Sequence, residues 1–180
     1  MIGNLPLKRL QAAASASTGA KIDFKVSHQE QDKWCWAAVA SSISNFYNPE
    51  SGWSQCKIAS AELGHDCCAD GSGICDQMWE LDNALKCTKN LKDCISGVLD
   101  TGKIATELEN KCPVCIRVQW SDGGSHFLVV TGAYTGSDGS DSLMLSDPIY
   151  GESNCEKSIL IDGFYQQHNG QWTHTYLTEA

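Results

Sequence analysis

The periodicity of the chain changes at Cys112, and that change constrains the fold more than any other feature. Before it, apolar residues recur at helical spacing. Trp36, Val39, Ile43 and Phe46 lie three or four residues apart and predict a buried helix from about Cys35 to the break at Asn48–Pro49. Ser54 has the chemistry of an N-cap for a second helix through Leu63. Met78, Leu81 and Leu85 predict a third helix over 77–86, and Ile104 and Leu108 a fourth over 101–110. After Cys112, short β-branched runs occupy 114–118, 126–134, 142–146 and 158–161, separated by turn-forming stretches at 122–124, 136–141 and 147–154. Helices followed by strands predict an α+β fold, with a helical lobe over about 23–110 and an antiparallel β lobe over about 111–180. Residues 1–22 are small and polar with no sustained apolar period, and are read as a flexible N-terminal tail.

A chain of 180 residues is long enough to bury one core without staples. Its 13 Lys and Arg against 22 Asp and Glu give a net charge of −9, and no basic run breaks the pattern. That balance argues against nucleic acid and anionic membrane as partners, since phosphate binding needs clustered cations. Apolar stretches such as Phe127–Val130 are too short to span a bilayer. A monomer is expected. Ten cysteines point to an oxidising compartment, hence to a secreted protein. Met1–Ala20 holds no signal-peptide core: Lys8 and Arg9 lead into a small, polar run.

Cys35 is the most informative of these cysteines. It falls at the first turn of the predicted buried helix, where unpaired amides favour negative charge. Trp34 and Trp36 flank it, and Ala37, Ala38 and Ala40 allow close packing behind it. A second reading makes Cys35 one more disulfide cysteine. His126 is the best-placed of five histidines to serve a nucleophile, because it opens an apolar strand just after the turn Asp122–Gly123–Gly124–Ser125. If 126–134 and 142–146 form a hairpin, its open end brings His126 near Asp147, which closes the other arm. The plainer readings are a structural imidazole and an ordinary Asp147–Pro148 turn. Gly123 and Gly124 would let a substrate backbone approach closely.

The stretch Gln29–Ala38 resembles the papain superfamily of cysteine proteases, in which a Gln precedes the nucleophile by six positions and Cys-Trp-Ala opens a long central helix. Gln29 and Cys35 have that spacing. The fuller pattern is similar to the bacterial branch of secreted and effector proteases. It includes Trp34–Val39, Phe46–Tyr47, Gln55–Cys56, Cys67–Cys68, Gly123–Phe127, Asp147–Gly151 and Trp172–Tyr176, covering about 23–180. The resemblance implies a papain-like two-lobe fold and a cysteine endopeptidase acting on protein or peptide substrates, with no cofactor and no metal. It implies Cys35 as nucleophile, His126 as base and Asp147 as orienting group, where papain itself has Asn. Gln29 is the implied side-chain donor to the oxyanion, alongside the backbone N–H of Cys35; Gln31, two residues closer, is the alternative. Other acyl transfer by the same three groups, such as deamidation, and an inactive disulfide-rich binding module are the competing functions.

Among the remaining cysteines, adjacent Cys67 and Cys68 cannot bond each other without strain, and Cys56 and Cys75 are the nearest partners. Cys87 and Cys94 are close enough to staple a short loop, and Cys155 could reach Cys112 or Cys115. Nine is odd, so at least one thiol stays free or pairs between chains. Zinc held by Cys56, His65, Cys67, Cys68 and Cys75 is the rival reading, weakened by the absence of paired Cys-x-x-Cys spacing.

Overall fold

A computed structural model describes residues 18–180. In chain order it contains β1 (Thr18–Lys21), α1 (Cys35–Tyr47), α2 (Gln55–Leu63), a 3-10 turn (Gly73–Cys75), α3 (Leu81–Cys87), β2 (Leu91–Ser96) and α4 (Thr101–Glu109). There follow β3 (Val114–Gln119), β4 (Ser125–Thr135), β5 (Asp141–Asp147), β6 (Gly151–Glu156), α5 (Lys157–Ile161) and β7 (Gln171–Thr178). The strands form one antiparallel sheet in the order β2-β7-β3-β4-β5-β6. Strand β3 pairs β4 from Ser125 to Val130, and β1 takes the same edge from Gly132 to Thr135. This is an α+β architecture with its helices gathered toward the N-terminal half, as the change of periodicity predicts. No helix among the described residues is long and apolar enough to cross a membrane.

Helix α1 is the axis of the core. Every residue from Cys35 to Ser44 is buried, so this helix is covered all round in its first three turns rather than along one stripe. The alanines and serines between its large residues make that burial feasible, because they let neighbouring elements approach the backbone. The helix stops where expected: Asn48 turns extended (φ −142°), the conformation a following proline imposes. Helix α2 is capped by the Ser54 hydroxyl, which accepts from the Lys57 amide, and ends on Gly64 in the left-handed region (φ 71°). The Asp100 carboxylate caps α4 by accepting from the amides of Gly102 and Lys103.

Several sequence expectations are corrected. The flexible tail does not extend to 22: Thr18–Lys21 is strand β1, and Ile22, Phe24 and Val26 continue it as an extended segment with alternate side chains buried. Residues 1–17 lie outside the described ones. Nor is 23–110 wholly a helical lobe. Strand β2 lies in the sheet beside β7, and α4 packs against β4 and β1.

Ser158–Ile161, expected as a strand, belongs to α5. Its β-branched Ile159 and Ile161 stay partly exposed, while Lys157 and Leu160, three apart, face inward. The buried Lys157 ammonium donates to the Thr101 hydroxyl at 3.0 Å and lies 5.9 Å from the Trp172 ring centroid, so tertiary packing overrides local β preference.

The third helix begins at Leu81, not at Gln77. The backbone of 75–77 is occupied elsewhere. The Gln77 carbonyl accepts the Trp36 indole N–H, and Met78 is left 63% exposed rather than packed.

The adjacent cysteines take separate partners, Cys56–Cys68 and Cys67–Cys75, which also uses the thiols of the rival zinc cluster. Cys87 and Cys94 are not bridged, and both are free thiols. Cys155 reaches neither Cys112 nor Cys115, and all three are free thiols.

Candidate active site

The three chemically paired residues of the sequence meet where the head of α1 touches the sheet. Cys35 is the first residue of α1, with its own N–H in the unpaired first turn. His126 lies near the start of β4, and Asp147 ends β5. The β4–β5 hairpin pairs Val129 with Ser146, so His126 projects just beyond the last paired residues and meets Asp147 there. The His126 Nε2 lies 2.9 Å from Asp147 Oδ1. Cys35 lies near enough to the ring to act on its charge, and the two residues face the same cleft. The exposed fractions are 8% for Cys35 and 2% each for His126 and Asp147.

Cys35 and His126 line one cleft of about 210 Å³, together with Trp36, Met78, Trp79, Trp120, Ile149 and the Gly123–Gly124 turn. Both glycines have positive φ, 102° and 80°, so the turn requires them for its backbone as well as for clearance at the cleft.

The charge balance of the pair follows from its partners. Burial alone favours the neutral imidazole. The hydrogen bond that His126 donates to Asp147 and the neighbouring Cys35 sulfur outweigh it and push His126 up to about 9. Burial likewise raises Asp147, but the bond to His126, its positive charge, and the amides of Tyr150 and Ile149 hold the carboxyl below its ordinary range. A raised imidazole stabilises the fold fully below its ordinary value of 6.5, and that contribution is lost as pH climbs through about 9. A depressed carboxyl has the opposite sign: its contribution is present above 3.8 and is lost as pH falls through the folded value.

Asp147 is also a turn residue, as the plainer reading has it. Its Oδ1 also accepts the amides of Ile149 at 2.7 Å and Tyr150 at 2.9 Å, which folds the turn after Pro148.

Gln29 is not brought into the same cleft. It is buried in the neighbouring loop and lines an adjoining depression that shares Asp32 and Ile149 with the cleft. Its amide nitrogen donates to the carbonyls of Gln31 at 2.8 Å and Asp32 at 2.7 Å, while its buried Oε1 has no partner. The Gln31 amide lies against Gly71, away from the cleft. His28 and His65 are exposed, His168 bonds Asp122, and His174 lies along β7.

Two aromatic residues at the site carry no motif. The Trp120 ring stacks on His126 (centroids 5.6 Å, 19° between planes) and lies nearly parallel to Tyr165 (6.3 Å, 7°). Tyr165 falls in the irregular link between α5 and β7, where no periodicity announces a role. Trp120 follows a strand into a glycine turn, and that position is the only hint the sequence offers.

A cysteine heading a buried helix, set against a His–Asp pair on an antiparallel sheet, defines the class of papain-like cysteine proteases. The chain belongs to the family of the papain-like cysteine protease AvrRpt2, whose sequence pattern matches residues 17–168. It is accordingly a cysteine peptidase, a hydrolase. No protein of curated function matches the sequence. Among solved structures, the Pseudomonas avirulence protein AvrPphB aligns over 88% of this chain and 98% of its own, at 9% identity and a TM-score of 0.42.

Proposed function

We propose that this peptidase is an endopeptidase working through a Cys35–His126–Asp147 triad and an acyl-enzyme. The observation that carries the reading is the buried Asp147–His126 pair, whose imidazole shares one open cleft with Cys35 at the head of α1. At neutral pH the raised His126 is an imidazolium beside Cys35, the positive charge that a sulfur nucleophile needs next to it. The thiolate attacks the scissile carbonyl. His126 then gives its proton to the departing amine, leaving the acyl group on Cys35. Water, deprotonated by His126, releases the acid and restores the pair.

The Cys35 N–H, at the unpaired head of α1, supplies one oxyanion donor. Gln29, six residues before Cys35, is the proposed second donor, its Nε2 held in the loop beside the cleft by the Gln31 and Asp32 carbonyls. For that role one amide hydrogen exchanges the Gln31 or Asp32 carbonyl for the oxyanion when substrate binds. The proposed site draws all three groups from this chain and needs none from a second copy, so a monomer suffices for the reaction. The paired Cys56–Cys68 and Cys67–Cys75 bonds support passage through an oxidising compartment and so a secreted or host-delivered protein.

Reaction with a thiol-directed epoxide tests the reading. A single adduct on Cys35 is expected, with loss of peptide hydrolysis in step with labelling, although other thiols are free. A mixture of proteins digested by the unlabelled enzyme should show new N-termini by mass spectrometry. Adducts spread over other thiols would overturn the nucleophile assignment, and intact proteins carrying only one-dalton shifts at Gln would replace proteolysis by deamidation.

The pH dependence follows with its sign. The alkaline limb of kcat/KM is expected near 9, where His126 loses its proton. Asp147→Asn removes one of the two groups that oppose desolvation, so the limb should move to lower pH. An unmoved limb in that variant would show that another group titrates.

A further inference from the structure

Asp147 has two carboxylate oxygens, and the sequence accounts for the partners of only one. His126 and the amides of Ile149 and Tyr150 all converge on Oδ1. Oδ2 receives the hydroxyl of Tyr165 at 2.9 Å, its sole hydrogen-bond donor among the described residues. Tyr165 is itself fixed. It is 3% exposed, exchanges two backbone hydrogen bonds with Gly170, and stacks on the Trp120 ring that also covers His126. Gly170 has no room for a Cβ, which would fall 2.6 Å from the Trp120 ring, so the turn carrying Tyr165 is pressed onto the aromatic layer. Burial first, and the neighbouring Asp147 charge after it, push the Tyr165 phenol up, so it keeps its proton and remains a donor throughout the working pH range. Tyr165 does not line the cleft.

We propose that Tyr165 is a positioning residue for the reaction: its hydroxyl locks Asp147 Oδ2, which fixes the rotation of the carboxylate and aims Oδ1 at His126 Nε2. This inference rests on the triad reading above. Three donors crowd one oxygen, so a carboxylate held at Oδ1 alone is free to swing about that point. A buried anionic oxygen without a donor is also costly, and the carboxylate relieves it by turning away from His126 or by taking up a proton. Either change weakens the hold on the imidazolium that both half-reactions need, without altering how substrate binds.

Tyr165→Phe tests this, because it removes one oxygen and keeps the stacked ring. The expected result is a kcat lower by roughly tenfold, the scale of one hydrogen bond to a charged group, with KM unchanged. In an Asp147→Asn background the same substitution should cost less than about twofold, because its route of action is already gone. Thermal unfolding checks that each variant is folded under the assay conditions. An unchanged kcat, a rise in KM alone, or an equal loss in both backgrounds would overturn the proposal while leaving the triad standing. A wild-type protein without Cys35-dependent hydrolysis would overturn both.

Discussion

Cys35→Ala protein is expected to hydrolyse peptides at least about 10⁴-fold more slowly than wild type. Alanine is the best helix former and fits a buried first turn, so the loss is chemical rather than structural, and the thermal midpoint should stay within a few degrees. The effect is large because nothing else can take the thiol's place. Cys87, Cys94, Cys112, Cys115 and Cys155 are free, yet none of them lines the cleft that His126 lines. His126→Ala alone should cost nearly as much, and the double variant little more than either, since a nucleophile and its base act as a unit. Measured by single-turnover cleavage of a peptide library, retention of hydrolysis within tenfold of wild type by Cys35→Ala would place the nucleophile elsewhere.

The parts of this site that lie on regular elements were legible in the sequence, and the parts that lie on links were not. Cys35 was readable because the apolar spacing from Trp36 to Phe46 defines α1 and puts the sulfur at its head. The approach of Asp147 to His126 was readable because antiparallel pairing leaves the two ends of a hairpin together. Tyr165 and Trp120 escaped because aromatic residues in loops carry no period.

Spacing failed for Gln29 in a different way. It placed the residue in the right loop, but the direction of its amide depends on the Gln31 and Asp32 carbonyls, which no pattern of side chains encodes. The strand expected at 158–161 failed because a buried Lys157 with its Thr101 and Trp172 partners outweighs two β-branched isoleucines. The boundary at Cys112 described where most strands begin, but β1 and β2 reach the sheet from upstream in the chain.

The Cys67–Cys75 bond bears on Cys35, the proposed nucleophile, more directly than its position in an exposed loop suggests. The residues on either side of Cys35 are tied to 75–77 by three hydrogen bonds. The Trp34 indole N–H donates to the Cys75 carbonyl at 2.7 Å, the Trp36 indole N–H to the Gln77 carbonyl at 3.0 Å, and the Lys33 amide to Asp76 Oδ1 at 2.8 Å. The disulfide anchors that receiving strip to Cys67, which is itself buried. Cys67→Ala with Cys75→Ala should therefore act twice. Freeing a loop this short costs about 2.5 kcal/mol by chain entropy, which for a chain of this size lowers the thermal midpoint by roughly 5–10 °C. The strip then moves relative to α1, and kcat should fall by about tenfold, since small misplacements at a nucleophile are costly. Cys56→Ala with Cys68→Ala is the control. It opens a loop of similar length but leaves 75–77 tied to Cys67, so it should lower the midpoint comparably and leave kcat within about twofold. Equal losses of kcat in the two double variants would reduce the effect to general destabilisation; a loss confined to the first would mean that this thiol enzyme needs one sulfur reduced and two others joined to hold it in place.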